Sequence, residues 1–354
     1  MTSPIRTAIL GFGVSGTAFH LPIIAALPAF QVVAVVSSRP DAVKAVLPEA
    51  AVYPDLTSLL AAATVDLVIV ATPNDGHAAQ ARACLEAGCH VVVEKPFVLD
   101  VANGVALAAL AKARGLVLSA YHIRRWDRGF RTLAAVIAEG GIGRPHTLIG
   151  RYDRWRPDVA VRWREVAAPG AGILWDLGAH LIDQALVLFG GLPRTVTARL
   201  GAFRPGAQAV DHFHLVLDYG DRAAFLSGDN RIALPGDALV VHGDGGSFRR
   251  ASLGEWEPLL RAGRGPLDPA WIAEAEADRA EVTTVGTDGR AVAMRRAAVA
   301  GGYELYYTAL AEAIRAGGPV PVTAEDATRV VAVIVAALQS AAEGRAVVPV
   351  EPFP

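Results

Sequence analysis

The chain has 354 residues, 53% of them hydrophobic, and balances 33 Lys and Arg against 35 Asp and Glu for a formal net charge of −2. That length suits two domains better than one core, and the charge balance, with no window that concentrates Lys and Arg, excludes a nucleic-acid groove. Small molecules and copies of the chain itself are the partners expected.

In residues 1–122, β-branched runs at 7–10, 31–37, 65–72, 90–95 and 116–122 alternate with Ala- and Leu-rich segments of helical length. Apolar runs without polar alternation suit parallel strands covered on both faces. The pattern predicts an α/β, doubly wound Rossmann domain. A helix is predicted near 127–139, followed by the breaker EGGIGRP at 139–145. Strand-like runs then follow one another directly, so residues 123–354 are predicted to form an α+β domain with a mostly antiparallel sheet. One long helix is set among them at 171–190, AGILWDLGAHLIDQALVLFG. Residues 255–300 read as a solvated loop or an embellishment. Near the end, Thr323 with Glu325 and Asp326 caps a helix in which Val330, Ile334, Ala337 and Ala341 recur at helical spacing. That helix is expected to pack back on the Rossmann domain.

No run reaches the roughly 18 apolar residues of a membrane span, and no charged segment with a long apolar stretch opens the chain. A cytoplasmic protein is expected. Cys84 and Cys89, the only two cysteines, match neither a redox pair nor half a zinc site and read as buried small apolar residues.

The first run leads into TAILGFGVSGTAFH, a G-x-G-x-x-G between a strand and a predicted helix. Gly11 allows the tight turn, Gly13 lets the backbone approach a pyrophosphate, and Gly16 lets helix and strand pack closely. The helix N-terminus offers its N–H groups to the phosphates. At the end of the second strand, where an NAD site carries Asp or Glu for the ribose hydroxyls, this chain has Ser37, Ser38 and Arg39. A planar cation suits a 2′-phosphate, so NADP(H) is expected over NAD(H). Asp41 falls in the next helix.

Two further segments carry chemistry. VVVEKPF puts Glu94, Lys95 and Pro96 at the carboxyl end of a buried strand, where open α/β sheets bind ligands. WDLGAHLID spaces Asp176, His180 and Asp183 along one helical face. A neutral imidazole there can take a proton from an alcohol, and a nearby carboxylate can orient it and stabilise its charged form. Alone, these residues leave open a salt-bridged strand end for Lys95 and a satisfied core histidine for His180. His212 and His214 share a strand face and read as sheet packing or an interface, and His20, which follows the glycine turn, as helix packing or a place near the cofactor. Arg124, Arg125 and Trp126 either border the cleft or begin a solvated helix. No dense His, Cys and carboxylate cluster is apparent, and no metal is expected.

Together, GFGVSG (11–16), SSRP (37–40), ATPNDGH (71–77), EKP (94–96) and the Asp176-x-x-x-His180 spacing resemble the glucose–fructose oxidoreductase, inositol dehydrogenase and rhizopine-catabolism family, Gfo/Idh/MocA. The resemblance runs over nearly the whole chain and is strongest to the NADP-dependent scyllo-inositol dehydrogenase branch. It implies a C-terminal domain whose open sheet forms a homodimer or homotetramer interface. It implies that Lys95 lies near nicotinamide and substrate hydroxyl, with Asp176 and His180 completing the catalytic group and His180 as acid/base. Cofactor contacts are expected from Gly11, Phe12, Gly13, Val14, Ser15, Gly16, Ser37, Ser38, Arg39, Thr72, Pro73, Asn74, His77, Glu94, Lys95, Trp163 and Arg164. The expected activity is reversible, NADP-dependent oxidation of a secondary hydroxyl on a cyclic polyol or sugar, an inositol foremost. A keto-sugar or aminocyclitol reductase and a catalytically silent NAD(P) sensor are the rivals. Ile123 in HIRRWD, where close relatives carry Asn, and the bulky Trp175 leave the hydride machinery in place and bear on which polyol is taken.

Overall fold

A computed structural model describes residues 3–160, 162–252 and 256–353, the side chains of 274–277 excepted. Strands β1 (Ile5–Leu10), β2 (Phe30–Val36), β3 (Ala51–Tyr53), β4 (Leu67–Val70), β5 (His90–Val93) and β6 (Leu118–Ala120) form a parallel sheet in the order β3-β2-β1-β4-β5-β6. Their apolar runs lie between helices: Ile9, Ile69, Val70, Val92 and Val93 are fully buried. The order reverses between β1 and β4, opening a crevice at their carboxyl ends. β3, not among the strands expected from the sequence, is a three-residue edge strand too short to show as a β-branched run. Cys84 and Cys89 are free and buried in this core.

The second sheet contains β7 (Pro145–Asp153), β8 (Thr195–Gly201), β9 (His212–Asp218), β10 (Ala223–Asp229), β11 (Leu239–Gly243), β12 (Gly246–Arg250), β13 (Arg279–Val285) and β14 (Ala291–Ala297), in the order β14-β13-β12-β11-β7-β10-β9-β8. All its pairs are antiparallel except β7 with β10. Helices Ala179–Phe189 and Ala324–Glu343 pack on this sheet. The latter also packs on Val101–Arg114 of the first domain, with Gly104 against Thr328. Its cap is Thr323, whose hydroxyl accepts from the Asp326 N–H at 3.0 Å.

Three expectations need correction. Residues 255–300 are no loop: they hold helices Trp256–Arg261 and Pro269–Ala277 and strands β13 and β14. Trp256 and Trp271 stack at 4.3 Å, with Tyr303 edge-on to Trp256; the charged face of the segment had masked this small core. The helix expected from 171 begins later, because Gly172 has φ +87°, outside helical space. A wide π turn, Leu174–Gly178, then leads into Ala179–Phe189. Likewise the helix after the glycine turn is a π turn, Ser15–His20, followed by Leu21–Ile24. Pro22 lacks the N–H that a regular ladder would need there.

Candidate active site

The turn after β1 is built around space that only glycine leaves. Gly11 has φ +100°, and a Cβ on it would stand 2.7 Å from the Ala71 carbonyl oxygen. On Gly16 a Cβ would stand 2.4 Å from the Gly11 carbonyl oxygen, whereas on Gly13 it would meet nothing within 4 Å. The backbone is thus folded tightly on itself at two glycines and open to a ligand at the third, with Val14 exposed beside it. Gly11, Phe12, Gly13, Ser37, Ser38, Arg39 and Thr72 line one cleft. Within it Arg39 Nη2 donates to the Phe12 carbonyl at 2.6 Å, and the Arg39 N–H donates to Ser37 Oγ at 3.1 Å. These residues fit a dinucleotide: open backbone for the pyrophosphate and a cation with hydroxyls at the ribose end.

The segment after β4 braces the crevice. Thr72 Oγ1 bonds Gln80 Oε1 at 2.5 Å, and Pro73 precedes a short 3₁₀ turn, Asn74–Gly76. Asn74 is buried and its Nδ2 donates to the Gly170 carbonyl at 2.9 Å, tying this loop to the second domain. His77 is fully buried, with Nδ1 2.8 Å from the Pro96 carbonyl and Nε2 3.0 Å from the Thr72 carbonyl. It therefore shapes the loop from behind.

At the end of β5, Glu94 turns to the glycine turn and Lys95 to the second domain. Glu94 bonds Ser15 Oγ and lies 3.1 Å from His20 Nε2, whose Nδ1 is 2.5 Å from Tyr307 Oη. His20 thus does more than pack a helix. Burial pushes the Glu94 carboxyl up, but His20, Lys95 and Ser15 more than offset it and bring it to about 2. Lys95 Nζ donates to Asp176 Oδ1 at 2.6 Å and to the Asp176 carbonyl at 2.7 Å. Arg164 Nε stands 3.6 Å from the same Oδ1, its guanidinium over the Trp163 ring. Burial pushes Asp176 up as well, but Lys95 and Arg164 hold it well below the ordinary carboxylate value.

His180 lies one helical turn beyond. Burial, then the positive charges of Lys95 and Arg124, hold it well below the ordinary imidazole value, so it is neutral. Its Nδ1 is buried without a hydrogen-bond partner among the described residues, and its ring borders the cavity. The Asp176 carboxylate therefore acts on His180 through charge, while its hydrogen bond goes to Lys95. Asp183 is turned away altogether, held by Arg125 at 2.7 Å, with Arg125 also on Asp326.

The cavity formed by Lys95, Asp176 and His180 is also walled by residues the sequence reading passed over, among them Tyr152, Arg154, Arg156, Glu257, Arg261 and Tyr303. No local motif marks them: Tyr152 lies in β7, Arg154 and Arg156 follow it, Glu257 and Arg261 come from residues 255–300, and Tyr303 lies just beyond. Arg124 lines the cavity and pairs with Asp127 at 2.9 Å, and Ile123 lies beside it. Trp126 packs edge-on against Tyr306. His212 pairs with Asp229 and stacks near His214 in the sheet. Among the described residues no three His, Cys, Asp or Glu converge as metal ligands, and no helix is long and apolar enough to cross a membrane.

Residues 5–122 match the family described as "Oxidoreductase family, NAD-binding Rossmann fold", and residues 134–351 match "Oxidoreductase family, C-terminal alpha/beta domain", of Gfo/Idh/MocA. Scyllo-inositol 2-dehydrogenase (NADP+) IolW of Bacillus subtilis (strain 168) is 40% identical over 344 residues, 97% of this chain and 95% of that protein. Among solved structures, the oxidoreductase yvaA of Bacillus subtilis is 38% identical with a TM-score of 0.92, covering 98% of this chain and 99% of that one. The YPO2259 oxidoreductase of Yersinia pestis is 35% identical with a TM-score of 0.91, covering 99% and 98%.

Proposed function

Because the chain belongs to the Gfo/Idh/MocA oxidoreductase family, whose members include dehydrogenases acting on CH–OH groups, we propose that it oxidises a secondary hydroxyl of a cyclic polyol or sugar, an inositol first among them, with NADP(H) preferred over NAD(H). The observation that carries this is the grip of Lys95 on Asp176 beside a neutral His180, at the mouth of a turn shaped for a dinucleotide. When bound, the nicotinamide supplies the hydride acceptor, reversibly. Lys95 donates a hydrogen bond to the reacting oxygen and favours its developing negative charge. His180 takes the hydroxyl proton, and the Asp176 charge favours the imidazolium so formed. Gly11 to Gly16, with Phe12, Val14 and Ser15, hold the pyrophosphate, and Ser37, Ser38 and Arg39 the 2′-phosphate. Thr72, Pro73, Asn74, His77 and Glu94 shape the nicotinamide end, and Trp163 and Arg164 close it. The NADP+ and scyllo-inositol activity of the Bacillus subtilis relative supports this reading, as does the complete Lys95, Asp176 and His180 group over a silent cofactor sensor.

The second sheet supports self-association as a dimer or tetramer. Thr197, Val216 and Phe225 stand side by side across β8, β9 and β10, all exposed, Val216 by 36% and Phe225 by 45%. Light scattering showing only monomer overturns that part.

The function is tested by following nicotinamide absorbance with NADP+ or NAD+ and a panel of scyllo-inositol, myo-inositol and glucose. Turnover with NADP+ and an inositol is expected. Silence across the panel, with NADPH binding demonstrated, favours the keto-sugar reductase or the sensor instead.

A further inference from the structure

The cavity is strongly unbalanced in charge. Arg124, Arg154, Arg156, Arg162, Arg164 and Arg261 line it with Lys95, against the carboxylates Glu94, Asp176 and Glu257. Most of these cations are committed: Lys95 and Arg164 share Asp176, Arg261 bonds Glu257, Arg124 pairs with Asp127 and Arg162 with Glu165. Arg154 and Arg156 have neither an ion pair nor a side-chain hydrogen bond among the described residues; Arg154 only lies over the Tyr152 ring, at 5.6 Å. The pair sits on fixed backbone just past β7, the Arg154 N–H on the Asp229 carbonyl at 2.9 Å and the Arg156 N–H on the Asn230 carbonyl at 2.7 Å. Two residues apart in extended chain, both point to the cavity while Trp155 between them is exposed. Burial foremost, then the like charges of Arg154 and Arg162, hold Arg156 below the ordinary guanidinium value against the pull of Glu257 and Asp176.

Resting on the reading of this cavity as the substrate site, we propose that it takes a cyclic polyol or sugar bearing a carboxylate or phosphate, bound by Arg154 and Arg156, in preference to the neutral inositol it also turns over. A neutral polyol would accept hydrogen bonds from these guanidiniums but leave their charge uncompensated. A carboxylate or phosphate meets the planar forks in bidentate fashion and relieves the crowding. Positive walls of low polarisability also concentrate anions at the mouth. The cofactor's 2′-phosphate does not compete for this pair, because the cleft holding Ser37, Ser38 and Arg39 shares no residue with the cavity wall that carries it.

The test compares glucuronate, glucose 6-phosphate, glucose and scyllo-inositol as substrates with NADP+, and measures their binding to the NADPH-loaded protein by calorimetry. At least one acidic probe is expected to exceed glucose in kcat/KM or affinity by at least about tenfold. Glucuronate or glucose 6-phosphate as the better of the two identifies carboxylate or phosphate. In R154Q and R156Q that ratio should collapse towards one, with NADPH affinity retained. Tight acid binding without turnover would uphold the acidic ligand and count against the proposed reaction alone. Turnover of neutral polyols with no advantage for either acid, in rate or binding, overturns the inference and leaves the reaction standing. A loss of NADPH affinity in R156Q with the acid ratio intact also overturns it.

Discussion

Lys95 Nζ is held twice by one residue of the second domain, by Asp176 Oδ1 at 2.6 Å and by the Asp176 carbonyl at 2.7 Å. The ammonium is thereby aimed across the crevice between the domains, and its third proton is free for a substrate oxygen. Replacing Lys95 by Ala removes a donor whose value lies in the transition state. A fall in kcat of about a hundred- to a thousand-fold is expected, with NADPH still bound in a fluorescence titration. Unchanged turnover would remove Lys95 from the mechanism.

His180 is neutral because burial, then the charges of Lys95 and Arg124, resist its protonation. A base works only unprotonated, so oxidation should be lost as pH falls through this lowered value rather than through the ordinary 6.5. In a pH profile of kcat/KM for oxidation, activity should stand undiminished at 6.5 and drop only below it. An acid limb centred above 6.5 that survives H180Q would assign the proton transfer elsewhere.

Two glycines of the first turn should separate fold from binding. Gly16→Ala forces a Cβ to within 2.4 Å of the Gly11 carbonyl oxygen, and a loss of about 1–3 kcal/mol is expected in denaturant melts. Gly13→Ala meets no atom within 4 Å, so the melt should match the parent while NADPH binds more weakly, by about tenfold. Equal NADPH affinity in G13A would mean that the pyrophosphate does not approach there.

Arg39 is anchored to the Phe12 carbonyl at 2.6 Å and lines the same cleft as Ser37 and Ser38. Arg39→Ala should lower kcat/KM for NADP+ by about 10- to 100-fold, the worth of a charge-assisted hydrogen bond, and change that for NAD+ far less. A parallel loss with both cofactors would show that Arg39 supports the turn and not the 2′-phosphate.

Features that repeat over a few neighbouring residues were legible in the sequence. The buried strands announced themselves as β-branched runs, the dinucleotide turn as glycines at set spacing, and the last helix as a Thr323 cap with periodic apolar residues. Each is decided by backbone sterics and by water's rejection of apolar surface within one element. The partners of the polar groups were not legible. Lys95 and Asp176 are 81 residues apart, Ser15 and Glu94 79, and His20 and Tyr307 287. Helical spacing alone did not tell Asp176 from Asp183, although one grips Lys95 and the other is locked on Arg125. Which carboxylate meets which cation, and which arginines are left without one, is set only when the domains close, because charge interactions depend on distance and burial and not on order along the chain.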